Sequence, residues 1–551
     1  MSNDRDLLTD ADKENWTLNW ALRERVRLSP NDTFLEVIGG ETESFAQTFR
    51  AAQRLARGLS SIGVKPHDSV VVMAPNSAEA IHAWIAINML GAIEVTINTA
   101  YRGQTLIHAV NTCAAKVIVI HESHLPALAE AQSKIPLLRC AIVIGGAARP
   151  IGELKVVALD SMHEAEATEP PDIMPAPSDI ASIIYTSGTS GPAKGVRLCH
   201  AQNFLTAKST VEHLRLTSRD VYYCVHPMFH MAGKFLAVYA QLLAGGKLVL
   251  DARFSAESWL EKVVRYGVTV TVAHGPMLEM IFAQPRTEVD ARNDLKTVLC
   301  NPLPKRIAAE FEARFGVRAV EAYGMTEIGV PVWTAYDEPL RIGAAGKVDA
   351  RWFDLQIADP VTDEPLPAME IGQIVVRPKS AWTIMQGYLG MPEKTVEAWR
   401  NLWFQTGDAG YIDREGYLYF ADRMGDRIRR RSENVASYDI EAAALLFPAV
   451  SECAAVGVPS EFEADDDIKL FVVPHRETNI DFGELSRHLA TELPHYMVPR
   501  YLEAVDALPR TPTNKVKKSE LRDRGINGNT WDRKSAGVSV RELVSREYPI
   551  R

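Results

Sequence analysis

Cysteine is scarce in this chain. Six stand among 551 residues, at positions 113, 140, 199, 224, 300 and 453, and no two fall at CxxC spacing. That excludes a disulfide framework and a zinc site of ordinary spacing, and it fits a reducing compartment. Long apolar runs are missing too; none approaches the roughly 18 residues that a membrane-spanning helix requires. Basic charge is not in excess. Against 70 Asp and Glu there are 60 Lys and Arg, a net charge of −10, so nothing calls for nucleic acid or an anionic membrane as partner. The opening residues, MSNDRDLLTDADKEN, are polar and acidic, unlike a secretory signal. These absences point to a cytoplasmic protein.

What is present is the composition of a globular enzyme, 46% apolar and 24% charged, on a chain too long for one core. Short β-branched runs such as SVVVM (69–73), KVIVI (116–120), SIIYTSG (182–188) and VTVTVAHG (268–275) alternate with segments of helical period such as SAEAIHAWIAINMLGA (77–92). That alternation predicts an α/β multidomain chain built on a buried, largely parallel sheet. After about residue 345 the strands QIVVRP (373–378) and GYLYFADR (416–423) have polar turns and predict antiparallel pairing. A boundary is placed in a polar, glycine-bearing turn, giving domains 1–423 and 424–551. The segment INGNTWDRKSAG beyond 526 reads as loosely packed.

The densest chemistry lies in YTSGTSGPAKGV (185–196). Backbone N–H groups of Gly188 and Gly191 can converge on phosphate oxygens where no side chain intervenes. Hydroxyls of Thr186, Ser187, Thr189 and Ser190 add donors, and Lys194 adds a point charge. A Walker loop, GxxxxGK[ST], fails here: Ala193 stands for its second glycine and Gly195 for its hydroxyl. The competing reading is an exposed Gly/Ser turn.

Further motifs follow in order: PMFHMAGK (227–234), CNPLP (300–304), EAYGMTE (321–327), LWFQTGDAGYID (402–413), ADRMGDRI (421–428) and LPRTPTNKVKKSELR (508–522). Taken singly, each has a plain structural explanation. His230 could be a packed core histidine, Thr326 and Glu327 the cap of a helix, Arg423 a surface arginine and Lys515 a solvated lysine. Taken together with the phosphate loop, they resemble the adenylate-forming superfamily over roughly residues 30 to 525. Residues 97–119 and 429–441 look most like the branch of carnitine/crotonobetaine-type and fatty-acid-type CoA ligases.

The resemblance implies a fold and an activity. The fold is a large N-terminal domain of α/β subdomains plus a β-barrel part, with a small mobile C-terminal α+β lid. The activity is joining of a carboxylic acid, fatty or carnitine-like, to AMP from ATP, then transfer of the acyl group to CoA. A stand-alone enzyme loading a carrier-protein thiol is the alternative, and a nucleotide-binding protein without chemistry a third reading. The resemblance also distributes roles. Tyr323 offers a face to adenine beside a wall at Asn301, where a glycine is usual, and Asp408 accepts from the ribose hydroxyls. Arg423 also contacts the nucleotide, Thr326 meets the α-phosphate and Glu327 holds Mg²⁺. Lys515 bridges carboxylate and α-phosphate, and His230 walls the acid's site. Gly425 stands at the lid pivot in place of Asp or Lys. Ser432, where a glycine is usual, and Arg430 line the path of CoA. The partners implied are small molecules, with a homodimer left open.

Overall fold

The computed structural model describes the chain apart from residues 1–6, 147–148, 164–172, 187–192, 424–427, 431–432, 436, 461–465, 477, 494–496, 512–515 and 540–551; of residues 422–423, 429–430, 433–434 and 439 it describes the backbone alone. The β-branched runs become buried strands of two large sheets. In the first, strands pair in parallel in the order Lys155–Ala158, Cys140–Ile144, Val117–His121, Ser69–Met73, Ile93–Thr96, Ile180–Thr186, and Lys194–Cys199 closes the edge antiparallel. In the second, Thr33–Val37, Lys247–Leu250, Val221–Cys224, Val270–His274, Thr297–Asn301 and Arg318–Met325 run parallel. Short antiparallel strands finish both of its edges.

Helices Ala78–Met89 and His200–Leu214 are buried along almost their whole length. They share one apolar cluster with strands of both sheets, so they fill the layer between them. The first starts at Ser77, whose side chain accepts from the Ala80 N–H. Asn76, just before it, ties the sheets together: its amide donates to the carbonyls of His226 and Asp251, and its oxygen accepts from the Met228 N–H.

The change of texture after residue 345 is a change of pairing. Phe353–Ala358, Gly372–Pro378, Trp403–Ile412 and Leu418–Arg423 pair antiparallel, at the place of the expected barrel part. Beyond them a small domain has its own core, formed by helices Ser437–Ala444 and Phe482–Glu492 against strands Val450–Pro459, Asp466–Pro474 and Tyr501–Ala504. It touches the large domain where the Tyr438 ring lies 5.1 Å from Lys305 Nζ.

The segment beyond 526 stays exposed at 526–529 and 534–537, as expected, but it is tied down between them. Trp531–Asp532 pairs antiparallel with Tyr501–Ala504, and the Trp531 ring lies 5.8 Å from Phe482. Lys469, fully buried, reaches Glu503 at 2.6 Å, the Gly525 carbonyl at 2.6 Å and the Thr530 hydroxyl at 2.8 Å. A buried ammonium requires such partners, and the segment supplies one of them, the Thr530 hydroxyl. Among the described residues no helix is long and apolar enough to cross a membrane.

Candidate active site

In a parallel sheet the carboxyl ends of adjacent strands open onto one edge, where ligands bind. Here Val221–Cys224, Val270–His274, Thr297–Asn301 and Arg318–Met325 are adjacent and parallel. That edge therefore gathers His226 and His230 just past the first strand, His274 and Asn301 in register on the next two, and Tyr323 on the fourth. Chain topology has collected residues from three separate motifs, with His226 and His274 beside them.

Thr326 and Glu327 follow Met325 in a tight turn to the strand Gly329–Trp333, not in a helix, which removes the cap explanation of these two residues. Both are buried. Gln202, inside the helix His200–Leu214, fixes the turn by donating to the carbonyls of Thr326 at 3.0 Å and Glu327 at 3.2 Å. The Met385 N–H donates to the Glu327 carbonyl as well.

Two hydrogen bonds organise the polar side chains. The Tyr323 hydroxyl donates to Asp408 Oδ2 at 2.8 Å, joining the strand Arg318–Met325 to Trp403–Ile412. The Tyr388 hydroxyl donates to Glu327 Oε1 at 3.0 Å. Lys194 Nζ lies 4.7 Å from the centre of the Tyr388 ring, so lysine, ring and carboxylate follow one another in contact. Tyr388 is held there because its segment pairs with the strand Lys194–Cys199 through Arg197, Gly195 and Val196. Burial, and next the Glu327 carboxylate, push the Tyr388 phenol well above its usual range, so it stays protonated and donating.

Thr186 and Lys194 stand opposite each other where the phosphate loop leaves and rejoins the sheet. Ser187, Gly188, Thr189, Ser190 and Gly191 of that loop lie outside the described residues, as do Gly425, Ser432 and Lys515. For Arg423 and Arg430 only the backbone is described; Arg423 pairs across its ladder with Asp408. Asn301 is exposed at its strand end.

His230 caps the short helix that follows it, its Nδ1 accepting from the Ala232 N–H at 3.2 Å. Its ring centre lies 6.3 Å from that of His274, which meets His226 edge-on at 4.4 Å. The motifs did not single out Tyr388, Gln202, Asn76, His226 or Glu321. Glu321 sits two residues before Tyr323, 7% exposed. Burial outweighs the Leu303 N–H and the Lys305 charge and pushes its carboxyl up to about 8.

Comparison with known proteins identifies the family. The family model of the AMP-binding enzyme matches residues 22–389, and that of the AMP-binding enzyme C-terminal domain matches residues 439–515. A feruloyl-CoA synthase of Amycolatopsis sp is 33% identical over 92% of this chain and 98% of its own length. A crotonobetaine/carnitine–CoA ligase of Salmonella heidelberg (strain SL476) is 28% identical over 87% of this chain and 93% of its own. The crystal structure of ATP-bound MatB from Rhodopseudomonas palustris superposes with a TM-score of 0.82 at 26% identity, covering 93% of this chain and 99% of that one. The chain belongs to the AMP-binding enzyme family, as an AMP-forming acyl-CoA ligase.

Proposed function

We propose that the nucleotide lies along the edge from Asp408 to Lys194, and that the acid extends from it toward His230. In this reading Asp408, oriented by Tyr323, accepts from the ribose hydroxyls, with Arg423 nearby. The Tyr323 ring and Asn301 flank adenine. Thr326 meets the α-phosphate, while Lys194 and residues 186–191 offset the polyphosphate charge. The succession Lys194, Tyr388, Glu327 is the observation that carries it, because one ring links a cation that follows the Gly/Ser-rich segment to a held carboxylate.

Mg²⁺ belongs to the same proposal. Among the described residues no group of three His, Cys, Asp or Glu could hold a metal. One buried carboxylate at Glu327 suits a cation that takes its remaining ligands from phosphate oxygens and water. When bound, the ion would neutralise phosphate charge. The chain's own task there is to keep the Glu327 carboxylate aimed, through Tyr388 and Gln202.

Lys515 stabilises charge growing on the α-phosphate as the acid attacks. The small domain, 424–551, then turns at Gly425 and brings Arg430 and Ser432 to the CoA thiol. For the acid, relatives named for feruloyl and for crotonobetaine or carnitine substrates favour a compact acid over a long fatty chain. Six free thiols, five of them buried, support a cytoplasmic location.

The test separates the half-reactions. Lys515→Ala should lose about two to three decades of acid-dependent pyrophosphate release, as loss of one transition-state charge contact does. CoA attack on supplied acyl-adenylate should survive. Equal loss in both half-reactions would overturn the assignment.

A further inference from the structure

His226 is buried to 5% exposure, yet neither of its ring nitrogens has a hydrogen-bond partner. Buried polar atoms are paired in nearly all native structures, so an imidazole with both nitrogens unsatisfied needs a reason. Its backbone position is well fixed, since Asn76 binds its carbonyl and the Met228 N–H just after it. The ring is therefore not an accident of a loose loop. It stands behind two further imidazoles, the half-buried rings of His274 and His230.

The cluster has a definite place relative to the nucleotide side. His274 ends the strand two positions from the one that carries Tyr323, and His226 follows the strand beyond it. At a strand spacing near 4.8 Å, that sets the imidazoles about 10–14 Å across the edge from Tyr323. The distance suits the far end of an acid whose carboxylate is at the α-phosphate.

The imidazoles are not a metal site: rings meeting edge-on do not converge on one point, and they form no metal-holding group. Burial, then the neighbouring His274 and His230, hold His226 well below the usual histidine range, so the ring is neutral and gives one donor and one acceptor. His230 accepts at Nδ1 from the Ala232 N–H, so its neutral form carries the proton on Nε2. A neutral His226, with one donor and one acceptor, matches a hydroxyl group, which both donates and accepts. It matches an alkyl tail poorly.

We propose that His226, His230 and His274 form the specificity wall of the acid site and select acids bearing a hydroxyl at the end remote from the carboxylate. The inference rests on the ligase reading above. The hydroxyl takes the place that the His274 ring now holds against His226, so that one His226 nitrogen gains its missing partner. A site built to pair a hydroxyl rejects the analogue that lacks it far more strongly than an apolar pocket rejects an added hydroxyl.

The experiment compares acids matched in size, hydroxyl against methyl at the remote end, in an aryl-propenoic and a straight-chain series. AMP formation is followed with ATP and CoA. In the parent protein the hydroxylated member should be favoured at least about tenfold in kcat/KM in one series. In His226→Leu that ratio should collapse toward one, and His226→Gln, which keeps a donor and an acceptor, should restore part of it. ATP binding by each variant serves as the check on folding. Preference for the methyl member, or a ratio unchanged in His226→Leu, overturns the inference while leaving the ligase reading intact. If no acid of either series gives CoA-dependent AMP while other acids do, the inference falls and the ligase assignment stands.

Discussion

The two ends of the site treat their polar groups differently. On the side we assign to the nucleotide they are settled by one another: Tyr323 donates to Asp408, Tyr388 to Glu327, and Gln202 to the backbone of the turn that carries Glu327. On the acid side His226 keeps both nitrogens unpaired. One turn beyond His230, Lys234 and Glu94 form an ion pair sealed from water, each 1% exposed. Groups serving a ligand common to every turnover are oriented in advance, which lowers the reorganisation cost of catalysis. Groups serving the variable ligand can be left for that ligand to complete, and the gap then becomes a record of what it carries.

The sealed pair gives the sharpest way to break this comparison. Lys234 Nζ contacts both Glu94 oxygens above the ring of Trp84, 5.3 Å away. Burial pushes the Lys234 ammonium below its ordinary value and the Glu94 carboxyl above its own, each opposed by the partner. If the pair is framework, Lys234→Met strands a buried carboxylate and should cost about 3–5 kcal/mol, read as a fall in the unfolding midpoint. Glu94→Leu with Lys234→Met should recover most of that. A double variant as unstable as the single would show that packing, not charge, fails. Loss of acid turnover in a stable double variant would assign the pair to the ligand instead.

The nucleotide side yields a smaller, paired effect. Asp408→Asn turns an acceptor oxygen into a donor and should weaken ATP binding by about 1–3 kcal/mol. Tyr323→Phe leaves that carboxylate charged but less well aimed, so about 0.5–1.5 kcal/mol is expected. Neither loss should respond to added Mg²⁺, whereas Glu327→Gln should be partly rescued by it. ATP titrations at low and high Mg²⁺ decide the matter; rescue of Asp408→Asn alone would reverse the two roles.

Much of this was legible in the sequence, and its limits are instructive. Strands are legible because buried parallel strands demand β-branched runs, and motif residues because they cluster within a few positions. The residues passed over act on partners remote in the chain. Tyr388 meets Glu327 across 61 positions, Gln202 meets Thr326 across 124, and Asn76 meets the His226 carbonyl across 150. The tie that holds the segment beyond 526 is invisible locally for the same reason, since Lys469 lies 61 residues before Thr530. Local composition carries no trace of such pairings.

Glu321 is the exception that sharpens the contrast, a group on the nucleotide side that burial has left ill at ease. Its carboxyl is raised from 4.5 to about 8, with the Leu303 N–H and Lys305 charge only partly offsetting burial. In the unfolded chain it ionises near the ordinary value, while the folded chain retains the proton through that whole window. The folded state therefore binds more protons between about pH 4.5 and about pH 8. Stability from this group is complete below the window, declines through it, and is lost above it. Glu321→Gln keeps the shape and cannot ionise, so its stability relative to the parent should rise across the window and level off beyond it. Urea unfolding of both proteins at about pH 5, 7 and 9 measures that difference. A constant difference would mean that Glu321 ionises as an ordinary carboxylate, and the nucleotide side would then be settled throughout.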